Sequence, residues 1–216
     1  MSETAAHAPL RVQGMTKRFG GFYALRDVDL EVRKGDIHAV IGPNGAGKTT
    51  LFNLVSGTLS ADAGQILFEG EVLNSLRPYK RTTLGIARTF QNIRLFGHMT
   101  VLENVMLGQH CRLCPSLWTT FRKTIFHRPL SEAPDEREMR RCALELLEFV
   151  GLADKRHSKA AGLSYGERRL VEIARALATV PRLLLLDEPA AGMNLQETEE
   201  LDRLISRIRD RGGTII

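Results

Sequence analysis

The chain has 216 residues, 43% of them apolar and 25% charged, with a formal net charge of +5. These are the proportions of an ordinary globular protein with one sizeable core or two small subdomains. They exclude a membrane-spanning helix, since no apolar run nears the roughly 18 residues required, and three cysteines argue against a disulfide framework.

Residues 1–9 are Ala-rich and polar, with no basic start leading into an apolar stretch, so they are expected to be a flexible tail and not a secretory signal. Residues 10–40 alternate short apolar runs with turns, as in Val28-Asp29-Leu30-Glu31-Val32, which predicts strands of a small, mostly antiparallel layer. Residues 36–41 read as a buried strand. They run into Gly42-Pro43-Asn44-Gly45-Ala46-Gly47-Lys48-Thr49, which fills every fixed position of the phosphate-loop pattern G-x-x-x-x-G-K-[ST]. Glycines there let successive backbone N–H groups turn inward around an anion. Lys48 is placed to reach the β- and γ-phosphates, and the Thr49 hydroxyl to ligate Mg²⁺. Thr50 and the apolar residues after it open a helix, which puts the phosphates at a helix N-terminus.

Residues 64–73 return to strand-like alternation. From about 100 to 160 the pattern is helical. Met139, Cys142, Ala143, Leu146, Leu147 and Val150 fall on one helix face, and Gly151 is positioned to end that helix. Cys111 and Cys114 form C-x-x-C near His110 and His127, but Cys142 alone supplies no second pair for zinc. Residues 117–126 mix aromatics with cations, a stretch suited to packing in a helical subdomain or to touching a membrane surface.

Ser164 and Glu167 in Leu163-Ser164-Tyr165-Gly166-Glu167 form the S-x-x-E capping box of a following helix. Leu183-Leu184-Leu185-Leu186 reads as a central parallel strand buried on both faces. The Asp187-Glu188 pair after it can cap a helix, or can do chemistry. Asp187 at a strand end can hold Mg²⁺, and Glu188 can orient the attacking water. Pro189 weakens the cap reading. A helix with Leu201, Leu204, Ile205 and Ile208 on one side follows. Gly212-Gly213 stops it, and 214–216 begin another strand.

Taken together, these stretches resemble the ATP-binding cassette (ABC) ATPases. Residues 163–167 look like the family's LSGGQ signature, and Thr89-Phe90-Gln91 like its Q-loop. Residues 85–96, 99–105, 163–174 and 189–194 are similar to the ATPase subunits of bacterial branched-chain amino acid importers. The resemblance implies an α/β fold of the P-loop NTPase, ABC type. That fold has a RecA-like parallel-sheet core, an N-terminal antiparallel β layer and an α-helical signature subdomain at roughly 92–175, all within a domain spanning 10–216.

It further implies that Glu188 and Gln91 serve hydrolysis and that Phe19 stacks on adenine. Residues 42–50 would hold the phosphates of ATP. Ser164, Tyr165, Gly166 and Glu167 would face ATP held by a partner subunit, and Thr49, Gln91 and Asp187 would serve Mg²⁺. Implied partners are transmembrane permease subunits, a second copy or a paralogous ATPase subunit and, indirectly, a periplasmic binding protein, with no nucleic acid. The implied location is peripheral, on the cytoplasmic face of the bacterial inner membrane. A lipid or lipopolysaccharide exporter ATPase and a non-transport ABC ATPase are the competing readings. Three departures stand out: Tyr165 replaces a Gly, Glu167 replaces a Gln, and Asn194 stands where many relatives carry Asp. The family's switch histidine belongs after the strand beginning at Thr214, so the domain is expected to be C-terminally truncated.

Overall fold

A computed structural model describes residues 9–109 and 134–216. Residues 1–8 lie outside the described part, as do Cys111, Cys114, His110, His127 and the segment 117–126. The chain divides into two compact units, Met1–Gln91 with Pro181–Ile216, and Asn92–Val180.

The first unit opens with β1 (Leu10–Phe19) and β2 (Phe22–Val32), an antiparallel hairpin turned at Gly20-Gly21. β3 (Ala63–Phe68) and β4 (Glu71–Val72) complete a four-stranded sheet in the order β2-β1-β3-β4. The 64–73 stretch is therefore two strands. Its break falls at Glu69-Gly70, where Glu69 takes a φ of +50°. A second sheet is parallel: β5 (Ile86–Arg88), β6 (Leu183–Leu185) and β7 (Thr214–Ile215), in that order. Leu183 to Leu186 are all buried, as a continuous apolar run in a central parallel strand requires.

Helix α1 (Lys48–Ser56) packs Leu51, Phe52, Leu54 and Val55 into a core shared with Leu10, Val12, Met15, Ile66, Phe68, Leu183 and Leu185. Each such side chain contributes roughly 1.5–3 kcal/mol on burial. The far end of α1 is held by Arg81 of α2 (Pro78–Thr83). Its buried Nη1 donates to the carbonyls of Leu54 at 2.5 Å and Val55 at 3.0 Å. Carbonyls at a helix end have spare acceptor capacity, and Leu54 O also accepts from the C-cap Gly57 N at 3.2 Å. This burial lowers the pKa of Arg81.

One expected strand differs. Residues 36–41 form no ladder strand, only a parallel bridge from Ile37 to Ile215. Ile41 is 91% exposed and Ile37 43%. Among the described residues its pairing with β7 consists of His38 N donating to Ile215 O and Asp36 O accepting from Ile215 N, both at 2.9 Å. A strand becomes buried by being paired and covered, and apolar sequence alone supplies neither.

The second unit is helical: α3 (Val101–Gln109), α4 (Pro134–Phe149) and α5 (Tyr165–Leu177), with two short 3₁₀ turns at Ala153–Lys155 and Ala160–Gly162. Met139, Ala143, Leu147 and Val150 of the expected face are buried, Cys142 and Leu146 are half-buried, and Gly151 follows with φ +79°. α3 and α5 approach closely at Gly108, where a Cβ would lie 2.2 Å from the Arg175 carbonyl oxygen. Any side chain there would push the two helices apart. In the first unit again, α6 (Leu195–Asp210) buries Leu201, Leu204 and Ile208.

Candidate functional site

The loop 42–47 is exposed to half-exposed and ends in Gly47, whose φ is +88°. A Cβ on Gly47 would sit 2.4 Å from the Ala24 carbonyl oxygen, so conformation and space both demand glycine. α1 starts at the next residue, so Lys48, Thr49 and Thr50 form its first turn. No side chain caps that helix, and there is no acidic residue in its first turn. Its N–H groups and the positive end of its dipole thus face the loop, which is the arrangement that receives an anion. Lys48 Nζ donates to the carbonyls of Gly42 at 2.6 Å and Pro43 at 3.0 Å. The lysine is folded over the loop it belongs to.

At the end of β6, Asp187 is 4% exposed and Glu188 is exposed. Glu188 holds a left-handed φ of +47°. Strain of this kind in a non-glycine residue gathers at functional sites. It aims the carboxylate at Gln91, whose Nε2 donates to Glu188 Oε2 at 3.0 Å. Two residues remote in sequence and expected to act together are thus brought into contact.

Sequence reasoning assigned Arg88 no part. Its guanidinium sits at the end of β5 with its side chain 8% exposed. Nη2 donates to Asp187 Oδ2 at 2.9 Å, while Nη1 donates to Asn53 Oδ1 at 2.7 Å and Ser56 Oγ at 3.0 Å on α1. The rings of Phe52 and Phe90 flank it at 5.9 and 5.5 Å. A lone charge closing an apolar strand was the available signal.

Phe19 ends β1, 52% exposed, with Lys17 Nζ 5.7 Å from its ring centre. Its cross-strand partner Phe22 is 66% exposed and Tyr23 42%, so the hairpin end presents three aromatic faces. Tyr23 is the most encumbered of these, with Arg18 and Arg26 at 5.0 and 5.3 Å from its ring.

Ser164, Tyr165, Gly166 and Glu167 belong to the second unit and build the start of α5. Glu167 N donates to Ser164 Oγ at 3.2 Å and Ser164 N to Glu167 Oε2 at 2.9 Å, a complete capping box. Lys155 hydrogen-bonds Glu167 and holds its carboxyl below the usual range. Tyr165 and Ser164 are exposed and Gly166 is buried. Behind them Arg169 and Glu172 form a buried ion pair at 2.8 Å.

The donor chemistry fits Mg²⁺, a hard ion that takes a few protein oxygens and completes its shell with phosphate and water. Thr49 and Asp187 supply such oxygens. Among the described residues no group of three or more His, Cys, Asp and Glu gathers as an all-protein metal cage does.

Comparison with known families decides the assignment. The family model described as ABC transporter matches residues 25–191. The chain belongs to the ABC transporter family. As a cassette of that family it binds and hydrolyses ATP. It is 43% identical over 208 residues to the high-affinity branched-chain amino acid transport ATP-binding protein LivG of Escherichia coli, covering 96% of this chain and 79% of that protein. It is 43% identical over 207 residues to the corresponding BraF protein of Pseudomonas aeruginosa, with the same coverage. Among solved structures, the ADP conformation of an ATP-binding cassette from an ABC transporter superposes with a TM-score of 0.81 at 37% identity, covering 96% of this chain and 79% of that one. The ABC cassette therefore has the expected fold: a parallel sheet, an antiparallel sheet and a helical region.

Proposed function

We propose that this chain is the ATP-hydrolysing subunit of an importer for branched-chain amino acids. The observation that carries it is the 43% identity, across 96% of the chain, to branched-chain amino acid transport ATP-binding proteins. In this reading residues 42–50 hold the triphosphate, with Lys48 leaving its own loop carbonyls for the β- and γ-phosphates. Phe19 stacks on the adenine. Thr49 and Asp187 hold Mg²⁺, with Gln91 reaching it. Mg²⁺ when bound neutralises charge developing on the phosphates. Glu188 accepts a proton from the attacking water, and Gln91, hydrogen-bonded to that carboxylate, keeps it oriented. Ser164, Tyr165, Gly166 and the start of α5 turn a capped helix N-terminus toward ATP bound by a second cassette.

The partners in this reading are transmembrane permease subunits and a second cassette, either a copy of this chain or a paralogue. A periplasmic binding protein delivers the substrate indirectly. The chain works on the cytoplasmic face of the membrane as a peripheral subunit. Among the described residues no helix is long and apolar enough to cross a membrane, which is compatible with that place. Measuring uptake of radiolabelled leucine, isoleucine and valine in cells lacking the gene tests the reading. Uptake is expected to fall and to return with the wild-type gene. Normal uptake in the deletion strain, or recovery of the chain with lipid-exporter membrane subunits, would overturn it.

A further inference from the structure

Arg88 makes three contacts that no role above requires of it. One guanidinium, almost wholly buried, joins two elements from opposite ends of the site's sequence. Its Nη1 holds Asn53 and Ser56, on the same α1 whose first turn carries Lys48 and Thr49. Its Nη2 holds Oδ2 of Asp187 at the end of β6. Only arginine has a planar fork long enough to serve both at once. Its Nε is buried with no hydrogen-bond partner, so the group is fixed by what its two terminal nitrogens bind. The neighbouring rings of Phe52 and Phe90 exclude water from its faces, which strengthens the pair.

We propose that Arg88 is a positioning residue that sets the Asp187 carboxylate at a fixed place relative to the phosphate-loop helix, and so places the cation that accompanies ATP. The inference rests on the assignment of Asp187 to Mg²⁺ made above. The physical argument is one of geometry. Asp187 is a buried carboxylate with one oxygen engaged by Arg88. Without that guanidinium nothing ties the carboxylate to α1, and it can turn toward solvent. That takes a negative oxygen away from the place the Arg88 bridge to Asn53 and Ser56 holds it. Partners that hold a metal-binding carboxylate in this way commonly change metal affinity by about 10–100-fold when removed.

The test uses the 216-residue chain as wild type, Arg88→Lys, Arg88→Met and Asp187→Asn. Each is saturated with a non-hydrolysable ATP analogue, and Mn²⁺ is titrated in with free ion read by electron paramagnetic resonance. The affinity for the analogue in EDTA is measured alongside. Both Arg88 variants are expected to bind Mn²⁺ about tenfold more weakly with analogue affinity in EDTA unchanged. Arg88→Lys keeps the charge with milder disruption, so it carries the test if Arg88→Met does not fold. Wild-type Mn²⁺ affinity in both Arg88 variants, with Asp187→Asn impaired, overturns the proposal. So does a parallel loss of analogue affinity in EDTA, which would make Arg88 a support of the whole loop. Wild-type Mn²⁺ affinity in Asp187→Asn would instead remove the Asp187 assignment, and the inference with it.

Discussion

Gln91 Nε2 and Glu188 Oε2 are 3.0 Å apart, and the glutamate reaches that contact from a left-handed backbone. In the proposed reading the strained residue and its amide partner together define where the attacking water sits. A glutamine at 188 would keep the shape and the contact but could not take a proton. Glu188→Gln is expected to bind ATP normally, hydrolyse it at least about 100-fold more slowly, and accumulate as a dimer in ATP. Size-exclusion chromatography with ATP, beside a phosphate-release assay, checks it. Normal turnover would remove Glu188 from the catalytic role.

Lys48 spans its own loop, bonded to the carbonyls of Gly42 and Pro43. Lys48→Ala removes the only charge of the 42–50 loop and is expected to abolish most ATP affinity while leaving the fold intact. A fluorescent-ATP titration with circular dichroism as control reads both. Affinity equal to wild type would sink the phosphate-loop assignment.

Asn194 is where the sequence departs from the family's usual aspartate, and it caps α6. Glu197 N donates to Asn194 Oδ1 at 2.9 Å, and Asn194 N to Glu197 Oε2 at 3.0 Å. An aspartate offers the same acceptor. Asn194→Asp should leave stability unchanged, and Asn194→Ala should lower it by about 1 kcal/mol. Urea unfolding distinguishes them; equal stability of the alanine variant would show that the cap carries no weight.

Glu167 titrates below its ordinary value, chiefly through its hydrogen bond from Lys155. A carboxyl with a depressed folded pKa binds fewer protons folded than unfolded. Its contribution is therefore complete above the unfolded value of about 4.3 and disappears as pH falls through the folded value below it. Glu167→Gln should melt lower than wild type at neutral pH, with the gap closing below about pH 4. Melting curves across that range decide it, and a constant gap would show that the charge is idle.

Much of this was legible from the chain because local chemistry determines it. Gly47 and Lys48 start α1 where the phosphate-loop pattern puts them, since positive φ and a helix start are local demands. Ser164 and Glu167 likewise close their box three residues apart. Residues 183–186 gave their burial away through sheer apolar continuity. Arg88 was not legible, because its meaning lies in Asn53, Ser56 and Asp187, which only folding brings near. The 36–41 stretch misled for the opposite reason. Its residues are apolar enough for a core strand, but burial depends on neighbours that its own letters do not specify. The Thr100–Glu103 and Asn194–Glu197 boxes carry the same three-residue spacing as the one at Ser164.

The unladdered 36–41 stretch has a further consequence for handling the protein. It leaves the apolar side chains of Ile37 and Ile41 43% and 91% exposed, a surface onto which another molecule can add. What opposes such addition between like molecules is mutual repulsion from the net charge of +5. That repulsion reaches about 30 Å at 0.01 M ionic strength and only about 8 Å at 0.15 M. Salt, which steadies many proteins in storage, here strips the barrier that keeps copies apart, so dilute buffer is the condition in which this chain stays dispersed.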